Sequence, residues 1–155
     1  AKGRGAREKL AIGEGRFTLI DEAYNANPTS MRAALALLGQ TQPGPGGRRI
    51  AAIGDMLELG AEGGDLHASL APDLAEAKVD LLFAAGPLSK RLFEAAAEGM
   101  RGAWGERSVD IEAAVVEAIR PGDVVMIKGS NSSRMGVLVA ALQRRYGEAA
   151  SPAEG

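Results

Sequence analysis

The sequence predicts an α/β fold, a three-layer Rossmann-like domain with a mostly parallel sheet and helices on both faces. Three observations predict it. Short apolar runs alternate with stripes of helical period about five times along the chain. Each run closes on Gly, Asp or Lys and leads into polar turn residues. The length, 155 residues, suits one domain with a buried core.

The elements follow in order. Residues 1–16 are rich in Gly, Lys and Arg, carry little apolar pattern, and read as a linker or inter-domain strap. Phe17-Thr18-Leu19-Ile20 is a buried strand ending on Asp21. Met31, Ala34, Leu35 and Leu38 recur at i, i+3, i+4 and i+7, the stripe of an amphipathic helix ended by Gly39. A Pro- and Gly-rich loop over 41–47 precedes a second strand, Ile50 to Ile53. One helix is expected over 64–78, a strand over 79–85, a helix over 89–98 and a short strand over 101–104. Ile111, Ala114, Val115 and Ala118 share the face of the next helix. Pro121-Gly122-Asp123 turns into the strand Val124 to Ile127, and Met135, Leu138, Val139, Leu142 and Tyr146 stripe the last helix. The folded domain is expected over 17–147, with a flexible tail over 148–155.

Composition narrows the function. Eighteen basic residues against 20 acidic give a net charge of −2, which offers no electrostatic footprint for nucleic acid or an anionic membrane. Cysteine is absent, so disulfides, thiolate metal sites and a cysteine nucleophile are excluded. No apolar run approaches the roughly 20 residues that span a bilayer. A cytoplasmic setting is expected. No metal site is expected either, because His67 is the only histidine and sits in a helical stretch. No Ser-His-Asp arrangement can be argued from the spacing.

Three polar clusters lie just past strand ends: Asp21 to Met31, Gly54 to Gly60, and Lys128 to Met135. In parallel sheets ligands bind outside those ends, so all three belong on one edge. Each cluster also has a plainer reading. Asn27 before Pro28 suits a helix cap, and capping could account for Asn27 and Ser30. It leaves Asp21, Glu22, Tyr24 and Asn25 in the preceding turn unexplained. Asp55 could be turn chemistry and Glu58 a solvated charge. Lys128 with Gly129 and Ser130 places an ammonium beside the N–H groups of a helix start, an arrangement for a carboxylate or phosphate. A surface lysine with serine caps is the alternative. The chain has no G-x-x-x-x-G-K-[ST] run to wrap a nucleotide triphosphate.

Tyr24-Asn25-Ala26-Asn27-Pro28-x-Ser30-Met31, Gly54-Asp55-Met56-x-Glu58-Leu59-Gly60, and Lys128-Gly129-Ser130 with Met135 resemble the C-terminal domain of the Mur ligase family. The first motif resembles the branch that adds D-alanyl-D-alanine to UDP-N-acetylmuramoyl-tripeptide in peptidoglycan synthesis. The likeness runs from about Lys2 to Tyr146. It implies an ATP-dependent peptide ligase working through an acyl phosphate, in which this domain closes over ATP and presents the dipeptide. ATP and Mg2+ would be held mainly by a central ATPase domain, and residues 1–16 would be the hinge from it. The domain by itself is expected to be inactive, and the enzyme a monomer.

The resemblance implies site residues as well. Arg4 resembles a hinge arginine that reaches the ATP phosphates. Asp21 and Glu22 stand where relatives carry the aspartate that contacts the ribose. Many relatives have two aspartates there, so Glu22 is a departure that leaves the contact to either position. Tyr24, Asn25 and Asn27 would line the same nucleotide-facing turn. Lys128, Gly129, Ser130 and Arg134 would face the dipeptide carboxylate. Asp55, Glu58 and His67 look like signature residues with no assigned role. The competing readings are a relative adding a different amino acid, and a free-standing α/β module that binds a small anion.

Overall fold

The computed structural model describes residues 5–147. Arg4 and the expected tail over 148–155 lie outside the described residues. Six strands form one sheet, ordered β1-β2-β6-β3-β4-β5. They are β1 (Ala6–Ile12), β2 (Gly15–Glu22), β3 (Arg49–Gly54), β4 (Leu81–Ala85), β5 (Arg101–Gly105) and β6 (Val124–Lys128). Strands β2, β6, β3, β4 and β5 run parallel, and β1 is antiparallel to β2 at one edge. The expected α/β architecture is therefore present.

The helices are α1 (Pro28–Gln40), α2 (Gly63–Ala68), α3 (Ala71–Glu76), α4 (Ser89–Ala95), α5 (Glu112–Ala118) and α6 (Gly136–Leu142). Two cores sandwich the sheet. Helices α1, α3 and α4 bury Met31, Leu35, Leu38, Leu74 and Leu92 against Ile53, Leu82 and Met126 on one face. On the other, Val115, Leu138 and Leu142 of α5 and α6 pack on Phe17, Leu19, Val125 and Ile127. A fully buried Leu or Met is worth about 1.5–3 kcal/mol over an exposed one, so the α1 stripe alone fixes that helix on the sheet. Alternating faces along each strand make both layers possible, and parallel strands buried on both faces read as continuous apolar runs.

Two features depart from the sequence reading. The segment read as linker over 1–16 contains strand β1, which forms a hairpin with β2 from Ala6↔Asp21 to Ile12↔Gly15. Arg7, Glu8 and Lys9 are exposed and only Leu10 is buried, so this charged edge strand has almost no apolar alternation to read. The single helix expected over 64–78 is two, α2 and α3, broken at Ser69 and Leu70. Pro72 sits in the first turn of α3, where its missing N–H costs nothing, and it could not have continued α2.

Candidate functional site

The strand registers bring the ends of the parallel strands into line. Glu22 pairs with Lys128, Ile53 with Lys128, Gly54 with Ala85, and Ala85 with Gly105. All three polar clusters thus leave the sheet at one edge, joined there by the turn after β5.

Close backbone approach holds the second and third clusters together. A Cβ on Gly54 would lie 2.5 Å from Met135 Cγ, and one on Gly129 would lie 2.6 Å from both Met135 Cγ and Ser133 Oγ. Only glycine lets the Met135 side chain seat over the ends of β3 and β6. Beyond Gly129, Ser130 Oγ accepts the Ser133 N–H at 3.2 Å, and Ser133 Oγ donates to Ser130 O at 2.6 Å. Ser130 is thereby the cap of a short 3-10 turn over Asn131–Ser133. Arg134 follows in left-handed backbone, φ 59°, a conformation that costs a non-glycine residue energy.

Lys128 is buried, at 3% exposure. Its Nζ donates to the carbonyl of Asn25 at 2.8 Å and lies 3.6 Å from Glu22 Oε1. Burial pushes its pKa below the ordinary lysine value, and the charge and hydrogen bond of Glu22 oppose that shift. Asp21, also buried, accepts the Ala23 N–H at 3.0 Å. Lys128 thus ties the β2–α1 turn to the end of β6, with its ammonium turned into the protein.

Asn27 and Ser30 form a reciprocal capping box at the start of α1. Ser30 N donates to Asn27 Oδ1 at 2.8 Å, and Asn27 N donates to Ser30 Oγ at 3.0 Å. Tyr24 and Asn25 are exposed in the turn before it.

Asp55 reaches across to the next loop. Its carboxylate accepts Ser89 N–H at 2.7 Å and Leu88 N–H at 3.2 Å, capping α4 from outside its own chain segment. Gly86, at φ 113°, passes so close that a Cβ there would overlap the Asp55 carboxylate. Glu58 is exposed and left-handed, φ 62°. His67 is fully buried. Its Nε2 accepts the Met56 N–H at 2.9 Å, and its Nδ1 lies 2.8 Å from Gly63 O. A carbonyl can only accept, so the ring is neutral with its proton on Nδ1.

Among the described residues, two clefts flank the 131–136 turn on this edge. The larger, about 430 Å³, lies at the ends of β3, β4 and β5 and includes Asp55, Gly86, Arg107, Ser108, Ser133 and Arg134. The smaller, about 350 Å³, lies between the end of β2 and α6 and includes Asp21, Tyr24, Asn131 and Gln143. The site residues expected from sequence therefore divide. Asp21 and Tyr24 line the smaller cleft, and Arg134 with Asp55 the larger one. Lys128, Gly129 and Ser130 form the ridge base between them, while Asn27 and His67 line neither. Sequence reasoning passed over the turn after β5, Glu106 to Val109, which lines the larger cleft. The strand-end rule, applied to Gly105 as it was to the other strands, would have found it. Among the described residues no group of three or more His, Cys, Asp or Glu is gathered to hold a metal ion. No helix among them is long and apolar enough to cross a membrane.

A parallel α/β sheet with glycine-packed polar turns gathered on one strand-end edge defines the class of open α/β domains, in which that edge is the usual place for a ligand. The comparisons with known proteins make this specific. The family model described as Mur ligase, glutamate ligase domain, matches residues 8–131. The chain belongs to the Mur ligase family, as the likeness of the three motifs implied.

The UDP-N-acetylmuramoyl-tripeptide–D-alanyl-D-alanine ligase of Mycobacterium leprae is 36% identical over 143 residues, covering 81% of this chain and 27% of that protein. A crystal structure of MurF from Acinetobacter baumannii superposes with a TM-score of 0.77 at 30% identity, covering 93% of this chain and 31% of the other. MurF from Thermotoga maritima, solved in complex with ADP, has a TM-score of 0.73 at 20% identity, with 93% of this chain and 31% of that chain covered. This last likeness concerns the fold alone. The chain spans less than a third of the length of the curated relatives it matches.

Proposed function

We propose that this chain is the dipeptide-presenting, nucleotide-closing domain of a cytoplasmic, monomeric ATP-dependent ligase. The reaction joins D-alanyl-D-alanine to UDP-N-acetylmuramoyl-tripeptide. The observation that carries the reading is the convergence of all three motifs on one sheet edge with two adjoining clefts, in a chain whose relatives bear that ligase's name.

In this reading the larger cleft takes the dipeptide and the smaller one faces the nucleotide. Asp21 lines the smaller cleft, whereas the Glu22 carboxylate is turned toward Lys128, so Asp21 is the better placed of the two for a ribose hydroxyl. Tyr24 and Asn25 edge the same turn. Arg134, on the wall of the larger cleft, supplies a cation for the dipeptide carboxylate. Lys128, Gly129 and Ser130 shape the ridge between the two ligands.

In this reading Mg2+ and the triphosphate are held mainly by a central ATPase domain, in the part of the relatives' length that this chain does not match. Arg4 is assigned to the phosphates on the motif alone. ATP would phosphorylate the terminal carboxylate of the tripeptide, releasing ADP. The dipeptide amine would then attack that acyl carbon and expel phosphate. This domain orients the amine and excludes the water that would otherwise hydrolyse the acyl phosphate. By itself it lacks the activating half of the site and has no ligase activity.

The test is an ADP-release assay on the whole enzyme. Release should require the tripeptide and D-alanyl-D-alanine together. Arg134→Ala should raise the dipeptide KM roughly ten- to a hundredfold with the ATP KM unchanged, as expected for a lost charge-assisted hydrogen bond. Turnover with a single amino acid but not with the dipeptide would reassign the enzyme to another member of the family.

A further inference from the structure

We infer that Arg107, which none of the three sequence motifs contains, is a second carboxylate-binding cation of the larger cleft and sets its specificity for a ligand with a free C-terminal carboxylate. The inference rests on the dipeptide reading of that cleft and deepens it.

The geometry begins at the turn after β5. Ser108 is buried, and its Oγ donates to the carbonyl of Arg134 at 2.8 Å. That single bond locks the β5 turn to the β6 turn. The residue before Ser108 is Arg107, so the two arginines flank one hydrogen bond, and both line the cleft. Arg134 is held in left-handed backbone at φ 59°. Observed strain of this kind in a non-glycine residue at a cleft wall is characteristic of ligand-handling positions.

Arg107 is engaged but not committed. Its Nη2 lies 3.3 Å from Asp110 Oδ1, with the two side chains 72% and 38% exposed. An exposed pair of this kind holds its partners weakly. Asp110 keeps a second anchor, the Arg107 N–H to its Oδ2 at 3.0 Å, so the turn retains its cap if the guanidinium leaves. A ligand carboxylate in the cleft can therefore exchange for Asp110 without undoing the turn. Arginine presents a planar fork of donors, which suits a carboxylate better than a point charge does.

The rest of the cleft fits a small ligand with one acidic end. Leu57 and Val109 are large apolar side chains left exposed beside it, at 41% and 48%. They offer a surface for small apolar substituents such as methyl groups. The Asp55 carboxylate is taken up by the N–H groups of α4, and Glu106, the other acidic residue on the lining, is exposed to solvent.

The experiment compares D-alanyl-D-alanine with its C-terminal amide as acceptors for the whole enzyme. The wild type should prefer the free acid in kcat/KM by roughly a hundredfold, the scale of lost charge-assisted hydrogen bonds. Arg107→Ala should cut that preference about tenfold or more, mainly through dipeptide KM, with the ATP KM unchanged. Asp110→Asn removes the same ion pair but keeps the cation, and should preserve the preference. If Arg107→Ala retains the full acid preference, or if Asp110→Asn loses it equally, Arg107 serves the turn and not the ligand. A wild type that does not use the dipeptide would instead overturn the reading of the cleft itself, which separates the two failures.

Discussion

At the scale of single residues, the most informative positions are polar groups inside the protein. His67 reads from sequence as an isolated helical histidine, and nothing in its neighbours along the chain signals its job. The structure places it between Gly63 O and Met56 N–H, so it splices the start of α2 to the loop after β3. That loop carries Asp55 and lies directly under the larger cleft. His67→Ala would leave a buried donor and a buried acceptor unpaired and open a small cavity. The expected cost is about 3 kcal/mol in urea unfolding of the 155-residue chain. His67→Gln, which can accept with one end and donate with the other, should recover part of it. Equal stability of the alanine variant and the wild type would show that the two backbone groups find other partners.

Lys128 illustrates the same limit in a second way. Its position after a buried strand, ahead of Gly129 and Ser130, was legible, and so was its place at the ligand edge. Its direction was not. Sequence order cannot show that Asn25, more than a hundred residues away, would present its carbonyl to the ammonium. Capping of Asn27 with Ser30 was readable, because that bond is local and its residue types are specific to it.

At the scale of elements, helix α4 shows how the site edge is built. It starts after Gly86 with no capping side chain of its own, and Asp55 supplies the acceptor from the end of β3. Asp55→Ala should therefore cost about 1–2 kcal/mol, the usual scale for losing a cap, and shift the α4 amides in NMR spectra. Ser89 makes the contrast. Its hydroxyl is buried with no hydrogen-bond partner among the described residues, so Ser89→Ala should be neutral or stabilising. A large loss from Ser89→Ala would mean that its hydroxyl is satisfied in solution.

The elements that sequence reasoning misjudged share a cause. Strand β1 is an edge strand with charged side chains to solvent, so periodicity has nothing to detect. The α2–α3 break depends on Pro72, which was visible, but one buried face runs across it through His67, Leu70 and Leu74. Strands buried on both faces were legible because burial there leaves an unbroken apolar run.

At the scale of the whole molecule, one parallel sheet carries three separated motifs to one edge, where glycine contacts and the Lys128 bridge join them. Placement on that edge followed from the alternation of strands and helices, which predicts parallel strands whatever their order. The division into two clefts did not, because it depends on the 3-10 turn at Asn131–Ser133 and on the β5 turn locked to it by Ser108. The shared turn also joins the two clefts. In the proposed reading, a nucleotide in the smaller cleft and a dipeptide in the larger one would meet the same 131–136 segment.

The central claim is that the larger cleft is a dipeptide site, and amide chemical shifts of the 155-residue chain during titration test it most directly. With D-alanyl-D-alanine at millimolar concentration, the account predicts shifts centred on Glu106 to Val109 and Ser132 to Arg134, and much smaller shifts with L-alanyl-L-alanine. Equal responses to the two dipeptides, shifts confined to the smaller cleft, or none at either would contradict it.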